Sequence, residues 1–386
     1  MDKLLLIMKR ILVGASRISH ILNFHMPYLR YFKEKGYITD VAAEGKTDNE
    51  LIDNCYDMRF VKNPLSAENL RTVSRLKKLM QENKYSLVYS NTTLAGTAAK
   101  LAVMRLKKKP YFVHISHGYM FGLDGSLHSR IYRTAERLTA KAVDKLAVMN
   151  SEDYYLAKKY KLGRSINHIY GMGLQKEKFP VLSDEQISKV REKYMIGNDK
   201  KLLLCVGEFS ARKNQTMLIE AFNYIQRKHR DTVLVFAGKG KTEKECYMLA
   251  EKFEFRGSVR FLGHVSNVNE LYRSSDMLIA CSKMEGMPFN VMEALYCGLP
   301  VAASNIKGHS DLLKNKPFGV LFKNDAVSLA ESVNDILSDE NKYREMKNTA
   351  FLDERYLSEN VMPTVLRLLD REYRPDEKVI SAKGAF

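Results

Sequence analysis

The amino-acid sequence predicts an α/β protein made of two doubly wound domains. At 386 residues, the chain is too long for one compact core. Short β-branched or apolar runs alternate with helical patterns through most of its length, which is typical of parallel sheets covered by helices. A polar interval at about 175–200 interrupts this alternation. It divides the chain into a first domain of residues 1–175 and a second of residues 200–355.

The first series of elements begins with an apolar run and alternates from there. Its predicted strands are rich in Val, Ile, Tyr and Phe: 10–15, 37–43, 86–90, 111–116 and 144–149. Amphipathic patterns between them predict helices near 22–35, 67–82, 94–107 and 127–141. Asn150 and Ser151 are expected to cap the helix that follows.

The second series repeats this order. Its predicted strands are 201–207, 232–238, 259–263, 276–282, 300–304 and 319–322, and its helices lie near 214–229, near 242–254 and from 325 onward. Ligands of doubly wound sheets bind beyond the carboxyl ends of the strands. We therefore expect the binding site in a cleft between two sheets that face each other.

Composition narrows the class of protein. Hydrophobic residues make up 45% and charged residues 28%, which is typical of globular domains. The five cysteines are scattered, with no CxxC pair and no histidine cluster at metal-ligand spacing, so we expect reduced thiols and no metal. No stretch approaches the roughly 20 apolar residues of a spanning helix. These features predict a cytoplasmic protein.

The positive charge is concentrated in the first half. Residues 1–180 hold 31 Lys and Arg against 16 Asp and Glu, whereas residues 181–386 hold 31 against 29. An excess confined to one half indicates an anionic partner, either nucleic acid or an anionic membrane surface. The basic runs at 75–78 and 105–109 are equally consistent with solvated helix ends.

The stretch SKMEGMPFNVMEALYCGLPVA, residues 282–302, carries two glutamates eight positions apart. Glu285 follows a predicted strand, and Glu293 lies in the second turn of a helix that begins at about Pro288. The amides at the start of that helix favour an anionic ligand, and Glu293 is suited to accept hydrogen bonds from a diol. The residues expected to present these amides are Gly286, Met287, Phe289 and Asn290. The alternative is a capped helix with a surface glutamate.

These glutamates, with the Cys-Gly-Leu-Pro at 297–300 and NIKGHSDLL at 305–313, resemble the E-x7-E signature of retaining glycosyltransferases of family four. The resemblance implies the GT-B fold, two Rossmann-like domains that face each other across a cleft, with a C-terminal helix at about 356–375 packing back on the first. It also implies that Glu285 lies beside the transferred sugar and that Glu293 binds the ribose of the nucleotide.

VGEFSARKNQTMLIEA, residues 206–221, is a second point of resemblance. After a strand and the Gly207 turn, the family carries two basic groups that bind the diphosphate. Lys213 matches one of them. The usual arginine is replaced by Glu208, so Arg212 is expected to supply the missing charge, which a departing diphosphate requires. The alternative is a helix capped by Ser210 with solvated basic neighbours.

Two histidines are assigned through the family. FLGHVSNVNELYRSSD, residues 261–276, resembles the segment that touches the nucleotide base, near His264 and Val265, although a lone turn histidine is usually structural. In the His117-Gly118 pair after a strand, the resemblance gives His117 a contact with the transferred sugar, and the alternative is a structural histidine. His114 is expected to be structural.

The first loop resembles that of bacterial polysaccharide glycosyltransferases, where it faces the acceptor. Many relatives have a glycine pair in this loop, whereas this chain has the glycine-poor sequence ASRISH at 15–20. Contact with an acceptor phosphate would therefore come from the side chains of Ser16 and Arg17.

The resemblance implies a retaining hexosyltransferase that acts in surface polysaccharide or glycan biosynthesis. We expect it to move a sugar from a nucleoside diphosphate sugar, a UDP-sugar, to a polyprenyl diphosphate-linked saccharide, without a metal or cofactor. The basic first domain fits a peripheral position on the inner face of the cell membrane. The sequence does not give the sugar, the linkage or the oligomeric state.

Two other classes of function remain open. One is a sugar-nucleotide epimerase on the same fold, which would act on the nucleotide sugar alone. The other is a non-catalytic sugar-binding or nucleic-acid-binding protein. Aromatic residues are not interleaved with the basic runs, so nucleic acid is not an expected partner.

Overall fold

The structure, a computed structural model, describes residues 9–61, 66–122, 126–255 and 257–374 and divides into two compact units. The first unit comprises the chain up to Met172 and the segment that begins at Glu359. The second unit runs from Gly173 to Ser358. The polar interval at 175–200 therefore belongs to the second unit.

The first unit is a parallel sheet covered by helices. Its strands are β1 (Arg10–Arg17), β2 (Ile38–Glu44), β3 (Asn54–Asp57), β4 (Leu87–Asn91), β5 (Tyr111–Ser116), β6 (Lys145–Val148) and β7 (Ser165–His168). Its first helices are α1 (Ile18–Phe24), α2 (Met26–Glu34), α3 (Ala67–Asn83), α4 (Thr93–Met104), α5 (Leu127–Thr139) and α6 (Ser151–Tyr160). The strand order is β3-β2-β1-β4-β5-β6-β7, so the order reverses between β1 and β4.

The second unit repeats this plan with six strands. They are β8 (Lys201–Val206), β9 (Thr232–Ala237), β10 (Val259–Phe261), β11 (Met277–Ala280), β12 (Val301–Ser304) and β13 (Gly319–Phe322). Its helices are α7 (Asp184–Lys193), α8 (Gln215–Lys228), α9 (Glu243–Lys252), α10 (Val268–Ser274), α11 (Phe289–Tyr296), α12 (Lys307–Leu313), α13 (Ala326–Ser338) and α14 (Glu340–Thr349). The strand order is β10-β9-β8-β11-β12-β13, and it reverses between β8 and β11.

The last helix, α15 (Ser358–Leu369), returns the chain to the first unit. The Tyr111 hydroxyl donates to the Leu368 carbonyl at 2.9 Å, and the Tyr31 hydroxyl donates to the Asp370 carboxylate at 2.7 Å. Across the described ranges, no helix combines the length and the apolar character that crossing a membrane requires.

The predicted fold class of two doubly wound α/β domains is confirmed, and most differences lie at the edges of the sheets. Strands β3 and β7 were not predicted, and each is a four-residue strand at a sheet edge. Their residues are half-buried or exposed, so they form no apolar run that a pattern could reveal. The helix predicted near 22–35 is two helices separated at His25. The polar interval contains α7, which starts with a capping box of Ser183 and Gln186.

The helices on the first sheet contain a buried ion pair. Lys100 on α4 is fully buried and contacts the carboxylate of Glu136 on α5, whose side chain is 10% exposed. Taking both charges out of water is costly, and their attraction offsets that cost only while both are present. The pair is therefore sensitive to the loss of either partner.

Lys100→Met should destabilise the first unit by about 3–5 kcal/mol, because it leaves the Glu136 carboxylate buried without a cation. Adding Glu136→Gln should recover much of this loss, since the neutral amide needs no counter-charge. Urea unfolding of the two single variants and the double variant measures both effects. Glu185→Ala removes an exposed pair with Lys189 and serves as the control, with an expected change below about 0.5 kcal/mol. Equal midpoints for Lys100→Met and this control would contradict the expectation.

Candidate active site

The reversal of strand order in the second sheet brings two loops together. β8 and β11 are parallel neighbours, so the loop after β8 and the loop after β11 leave the sheet side by side. The Lys283 amide donates to the Arg212 carbonyl at 2.8 Å, and the Cys281 thiol donates to the Lys213 carbonyl at 3.1 Å. The loops predicted to bind the diphosphate and the sugar are therefore in direct contact.

The centre of this site is the carboxylate of Glu285. Its Oε1 lies 2.8 Å from the Lys213 ammonium and 2.6 Å from the Arg212 guanidinium. The Ser282 hydroxyl donates to the same oxygen at 2.8 Å. Arg212 also donates to the Met284 carbonyl at 3.0 Å. Three of the residues singled out by the resemblance thus form one hydrogen-bonded ion cluster, which we call the Glu285 cluster.

Charge, rather than exposure, sets the state of Glu285. Burial alone would raise the pKa of this carboxyl, but the Lys213 and Arg212 cations and the hydrogen bonds from Lys213 and Ser282 outweigh burial and hold the pKa below its ordinary value. Glu285 is therefore a carboxylate at neutral pH. It can accept hydrogen bonds from sugar hydroxyls but cannot donate a proton.

Two glycines allow the close packing behind this cluster. Gly207 has φ +154°, and a Cβ built there would lie 3.3 Å from Cε of Lys213. A Cβ on Gly308 would lie 2.8 Å from the Glu285 carbonyl oxygen and 2.9 Å from that of Gly286. A larger residue at position 308 would therefore displace the loop that holds Glu285.

The second glutamate has a different environment. The Glu293 carboxylate accepts a hydrogen bond from the Tyr272 hydroxyl at 2.7 Å. Burial raises the pKa of Glu293, and the hydrogen bond from Tyr272 and the nearby charges of Lys213 and Lys178 offset this rise only in part. The two glutamates, eight residues apart, therefore have pKa values shifted in opposite directions.

The remaining donor-binding candidates occupy several places. Ser210 shapes the loop before α8, because its carbonyl accepts the amides of Lys213 and Asn214 at 3.0 Å. Asn290 points toward the sheet, where its Nδ2 donates to the Val206 carbonyl at 3.1 Å. His264 and Val265 follow β10, the outermost strand, two strands away from β8.

The start of α11 differs slightly from the prediction. Pro288 is the residue before the helix, not its first residue, and α11 begins at Phe289. Gly286 and Met287 are buried in the loop that precedes it. Glu293 lies in the second turn, as predicted.

In the first unit, His117 follows β5 and lies among other imidazoles. Its Nε2 is 3.3 Å from Nε2 of His20 on α1 and 3.4 Å from Oδ1 of Asn91 at the end of β4. Burial is the largest cause that lowers the pKa of each histidine in this group, to about 4 for His20 and well below the ordinary value for His25 and His117. All three are therefore neutral at neutral pH.

The acceptor-loop candidates lie at the reversal of the first sheet. The Ser16 hydroxyl is 2.6 Å from the Thr92 hydroxyl, and the Ser16 amide donates to the same oxygen at 3.1 Å. Arg17 ends β1 and is exposed. His114 is buried and bonded to Ser90 with its Nδ1 3.1 Å from the Ser90 carbonyl oxygen, in agreement with its structural assignment.

Sequence reasoning missed several residues of these sites. Ser282 and Tyr272 hydrogen-bond the two glutamates, yet neither belongs to the spacing that identified those glutamates. A polar residue at the carboxyl end of a strand, as Ser282 is, was the available signal. His20 and His25 were missed because a search by spacing does not connect them with His117, about 90 residues further along.

Two family descriptions match the chain. Residues 186–353 match the family described as "Glycosyl transferases group 1", and residues 11–150 match "Glycosyl transferase 4-like". Together they cover most of both compact units.

Curated relatives agree with these matches. A putative glycosyltransferase from Bacillus subtilis, EpsD, is 31% identical over 318 residues, which is 82% of this chain and 84% of that protein. The Escherichia coli enzyme named UDP-Gal:alpha-D-GlcNAc-diphosphoundecaprenol alpha-1,3-galactosyltransferase is 25% identical over 298 residues, or 75% of this chain and 74% of that enzyme.

Solved structures share the fold. HepE from Anabaena, crystallised with UDP and glucose, superposes with a TM-score of 0.70 at 17% identity, over 94% of this chain and 99% of HepE. A glycosyltransferase from Rickettsia africae gives a TM-score of 0.71 at 18% identity, over 94% of this chain and 98% of that structure. The two family matches, the relative that is 31% identical over 82% of this chain, and the shared GT-B fold agree: the chain belongs to the family-four, group 1 glycosyltransferases and is a hexosyltransferase.

Proposed function

We propose that this enzyme transfers a sugar from a UDP-sugar to a saccharide carried on polyprenyl diphosphate, with retention of anomeric configuration. The observation that carries the proposal is the Glu285 cluster, in which two cations and one carboxylate meet at the strand-order reversal of the second sheet. A diphosphate needs cations, and a sugar beside it needs hydrogen-bond acceptors. The Glu285 cluster offers both kinds of group, because its two cations lie 2.6 and 2.8 Å from the carboxylate oxygen.

The cations are suited to a leaving group. Lys213 has a side chain only 15% exposed, so its charge acts in an environment poorly screened by water. As the bond between the sugar and the diphosphate breaks, negative charge grows on the phosphate oxygens, and fixed cations stabilise that charge more than the ground state. Lys213 and Arg212 perform this role in the proposed reaction.

Arg212 is the second cation in this proposal. Family members carry an arginine at the position of Glu208, and the Glu208 side chain here is exposed. Arg212 instead contacts the same Glu285 oxygen as Lys213, at 2.6 Å. Its position beside Lys213 supports it as the replacement for the arginine that the family places earlier in the loop.

Retention follows from a front-face route in this proposal. Glu285 is bound by two cations and a hydroxyl, so its ionised oxygen serves as an acceptor for sugar hydroxyls rather than as a free nucleophile. The acceptor oxygen then approaches the face from which the diphosphate leaves, and a departing phosphate oxygen takes its proton. His117, neutral through burial, is assigned to the transferred sugar as a hydrogen-bond partner.

The acceptor class is supported by the names of relatives. The Escherichia coli relative is named for a diphosphoundecaprenol substrate, and a Campylobacter jejuni relative, 28% identical over 297 residues, is named for a diphosphate-undecaprenol glycan. For this chain we propose the same class of acceptor, with Ser16 and Arg17 near its diphosphate.

A face of α5 supports peripheral binding to an anionic membrane. Leu127, Ile131 and Leu138 lie at helical spacing and are 73%, 58% and 69% exposed. Exposed arginines at positions 130 and 137 lie beside them on the helix surface. Apolar side chains flanked by cations match the boundary between acyl chains and anionic headgroups. We propose that this α5 face contacts the lipid surface that holds the acceptor, on the inner side of the cell membrane.

Incubating the protein with UDP-sugars and a synthetic polyprenyl diphosphate saccharide should give a lengthened lipid-linked glycan with the anomeric configuration of the donor. Lys213→Ala should reduce turnover by about 100- to 1,000-fold, because it removes a cation that stabilises the leaving diphosphate. Product analysis by mass spectrometry and NMR measures both.

The matched control is Lys244→Ala, which removes an exposed lysine of α9 and should leave turnover unchanged. Full turnover in Lys213→Ala would remove the site assignment. Interconversion of UDP-sugars without an acceptor would identify an epimerase instead, and an inverted product would refute the front-face route.

Glu293→Gln should weaken UDP binding by about ten- to a hundredfold, because a charged acceptor for the ribose hydroxyls is lost. It should also stabilise the unliganded protein at neutral pH. Folding raises the pKa of Glu293, so the carboxyl lowers the stability of the folded state as the pH rises from its pKa in the unfolded chain through its pKa in the folded protein. The glutamine amide does not titrate and therefore avoids this loss. Thermal unfolding at acid and neutral pH, with and without UDP, tests this. A variant that is less stable at neutral pH, or that binds UDP normally, would contradict it.

Replacing Ile131 and Leu138 by serine should reduce flotation with phosphatidylglycerol vesicles by about tenfold or more, because each exposed aliphatic side chain that leaves water contributes about 1.5–3 kcal/mol. Arg130→Glu with Arg137→Glu should do the same through charge. Val327→Ser, at a position 53% exposed in the second unit, is the control and should float normally. Equal flotation of all variants, or equal binding to neutral phosphatidylcholine vesicles, would count against the α5 face.

A further inference from the structure

Three histidines converge in the first unit although they are far apart in sequence. One ring nitrogen from each of His20, His25 and His117 lies within 4.8 Å of the other two. His20 lies on α1, His25 at the break between α1 and α2, and His117 after β5. At this break His25 is fully buried. We call these residues the histidine triad.

We propose that the histidine triad binds a first-row divalent cation of the zinc, cobalt and nickel class. Imidazole nitrogens are preferred ligands of these ions, and three of them with an open fourth position form a recognised coordination set. The site lies within one compact unit, and metal binding can be tested without any sugar. A cation bound to Nε2 of His117 leaves Nδ1 of the same ring for the sugar contact proposed above.

The spacing of the nitrogens fits this chemistry. Tetrahedral zinc binds imidazole at about 2.0–2.1 Å, which places two ligand nitrogens about 3.3–3.4 Å apart. Nε2 of His20 and Nε2 of His117 are 3.3 Å apart. Oδ1 of Asn91 lies 3.4 Å from Nε2 of His117 and offers a fourth oxygen ligand or a partner for bound water. All three ligand nitrogens lie within 4.8 Å of one another, so no pair has to close by more than about 1.5 Å for tetrahedral geometry.

His25 supplies the independent observation. It is fully buried, and its Nε2 has no hydrogen-bond partner among the described atoms. Its Nδ1 is 2.8 Å from the Tyr89 hydroxyl. When Nδ1 carries the proton, its N–H donates a hydrogen bond to the Tyr89 hydroxyl oxygen, and Nε2 keeps a free lone pair. This is the usual arrangement for a histidine that binds metal. A buried polar atom without a partner is costly, and a cation would satisfy it.

The competing interpretation is a His20–His117 hydrogen bond with no cation. It accounts for the 3.3 Å contact but leaves Nε2 of His25 unsatisfied. The two interpretations differ in whether added metal binds at all.

Titration of the chelator-treated full chain with Co²⁺ tests the proposal without any sugar nucleotide. We expect one equivalent to bind with the intense visible absorption of four-coordinate cobalt, and Zn²⁺ to displace it. His25→Ala should weaken binding by more than about a hundredfold, since changes to second-shell partners alone cost about ten- to a hundredfold. Tyr89→Phe keeps every ligand and should weaken it by about tenfold.

The control is His229→Ala, which alters a histidine of the second unit and should bind cobalt normally. Thermal unfolding adds a second readout, because Zn²⁺ should raise the midpoint of the wild-type protein and of His229→Ala but not of His25→Ala. Absence of stoichiometric binding, a weak spectrum typical of hydrated cobalt, or equal binding by His25→Ala would each overturn the proposal.

Discussion

The proposed donor site depends on one carboxylate oxygen that two cations share. Glu285 contacts Lys213, whose side chain is 15% exposed, at 2.8 Å and Arg212, whose side chain is 46% exposed, at 2.6 Å. Two adjacent cations without Glu285 would repel each other, and leaving Lys213 unpaired at this depth would cost several kcal/mol. The carboxylate therefore keeps both cations in place before any substrate arrives. A diphosphate that enters finds its binding groups already ordered, which lowers the entropic cost of binding and of reaching the transition state.

The same topological rule builds a site in each unit, yet the two sites differ in chemistry. In the second unit, the loops after β8 and β11 bring charged groups together around Glu285. In the first unit, the segments after β1, β4 and β5 bring together hydroxyls, an amide and imidazoles that burial keeps neutral. Cations stabilise the charge that grows on a departing diphosphate, whereas hydroxyl, amide and imidazole groups are suited to bind sugar hydroxyls. The reversal of strand order determines which side chains come together, and their burial and hydrogen-bond partners determine their charge and chemistry.

Sequence patterns predicted the parts of the structure that local physics determines. Buried strands such as β9 and β5 can be recognised in the sequence as apolar runs. The same holds for β8 and β11, so Lys213 and Glu285, which follow these two strands, could be placed at the edge of the sheet. Strand β7 could not, because an edge strand with half-buried residues has no such run. Its existence follows from pairing with β6, which is a tertiary contact.

The partners within the sites were harder to predict because they depend on packing between distant segments. Tyr272 reaches Glu293 from α10, 21 positions earlier, and no periodicity connects the two residues. The histidine triad joins the segments after β1 and after β5, and these strands are neighbours only through their common pairing with β4. The opposite pKa shifts of the two glutamates could not be predicted from the sequence either. Two cations lower the pKa of Glu285, whereas burial raises the pKa of Glu293.

The charge asymmetry of the chain now has a structural interpretation. The excess of 15 positive charges in positions 1–180, from 31 Lys and Arg against 16 Asp and Glu, does not include the imidazoles of the histidine triad. Part of it lies on exposed surface such as the α5 face, at positions 130 and 137. Exposed charges act over about a Debye length and are screened by salt, whereas the Glu285–Lys213 pair, with side chains 11% and 15% exposed, is screened less. If the proposed function is correct, ionic strength should affect the approach to an anionic surface more strongly than the stabilisation of a departing diphosphate by Lys213. In the proposed function, the basic first half would thus assist the approach to an anionic surface, and Lys213 and Arg212 would stabilise the departing diphosphate.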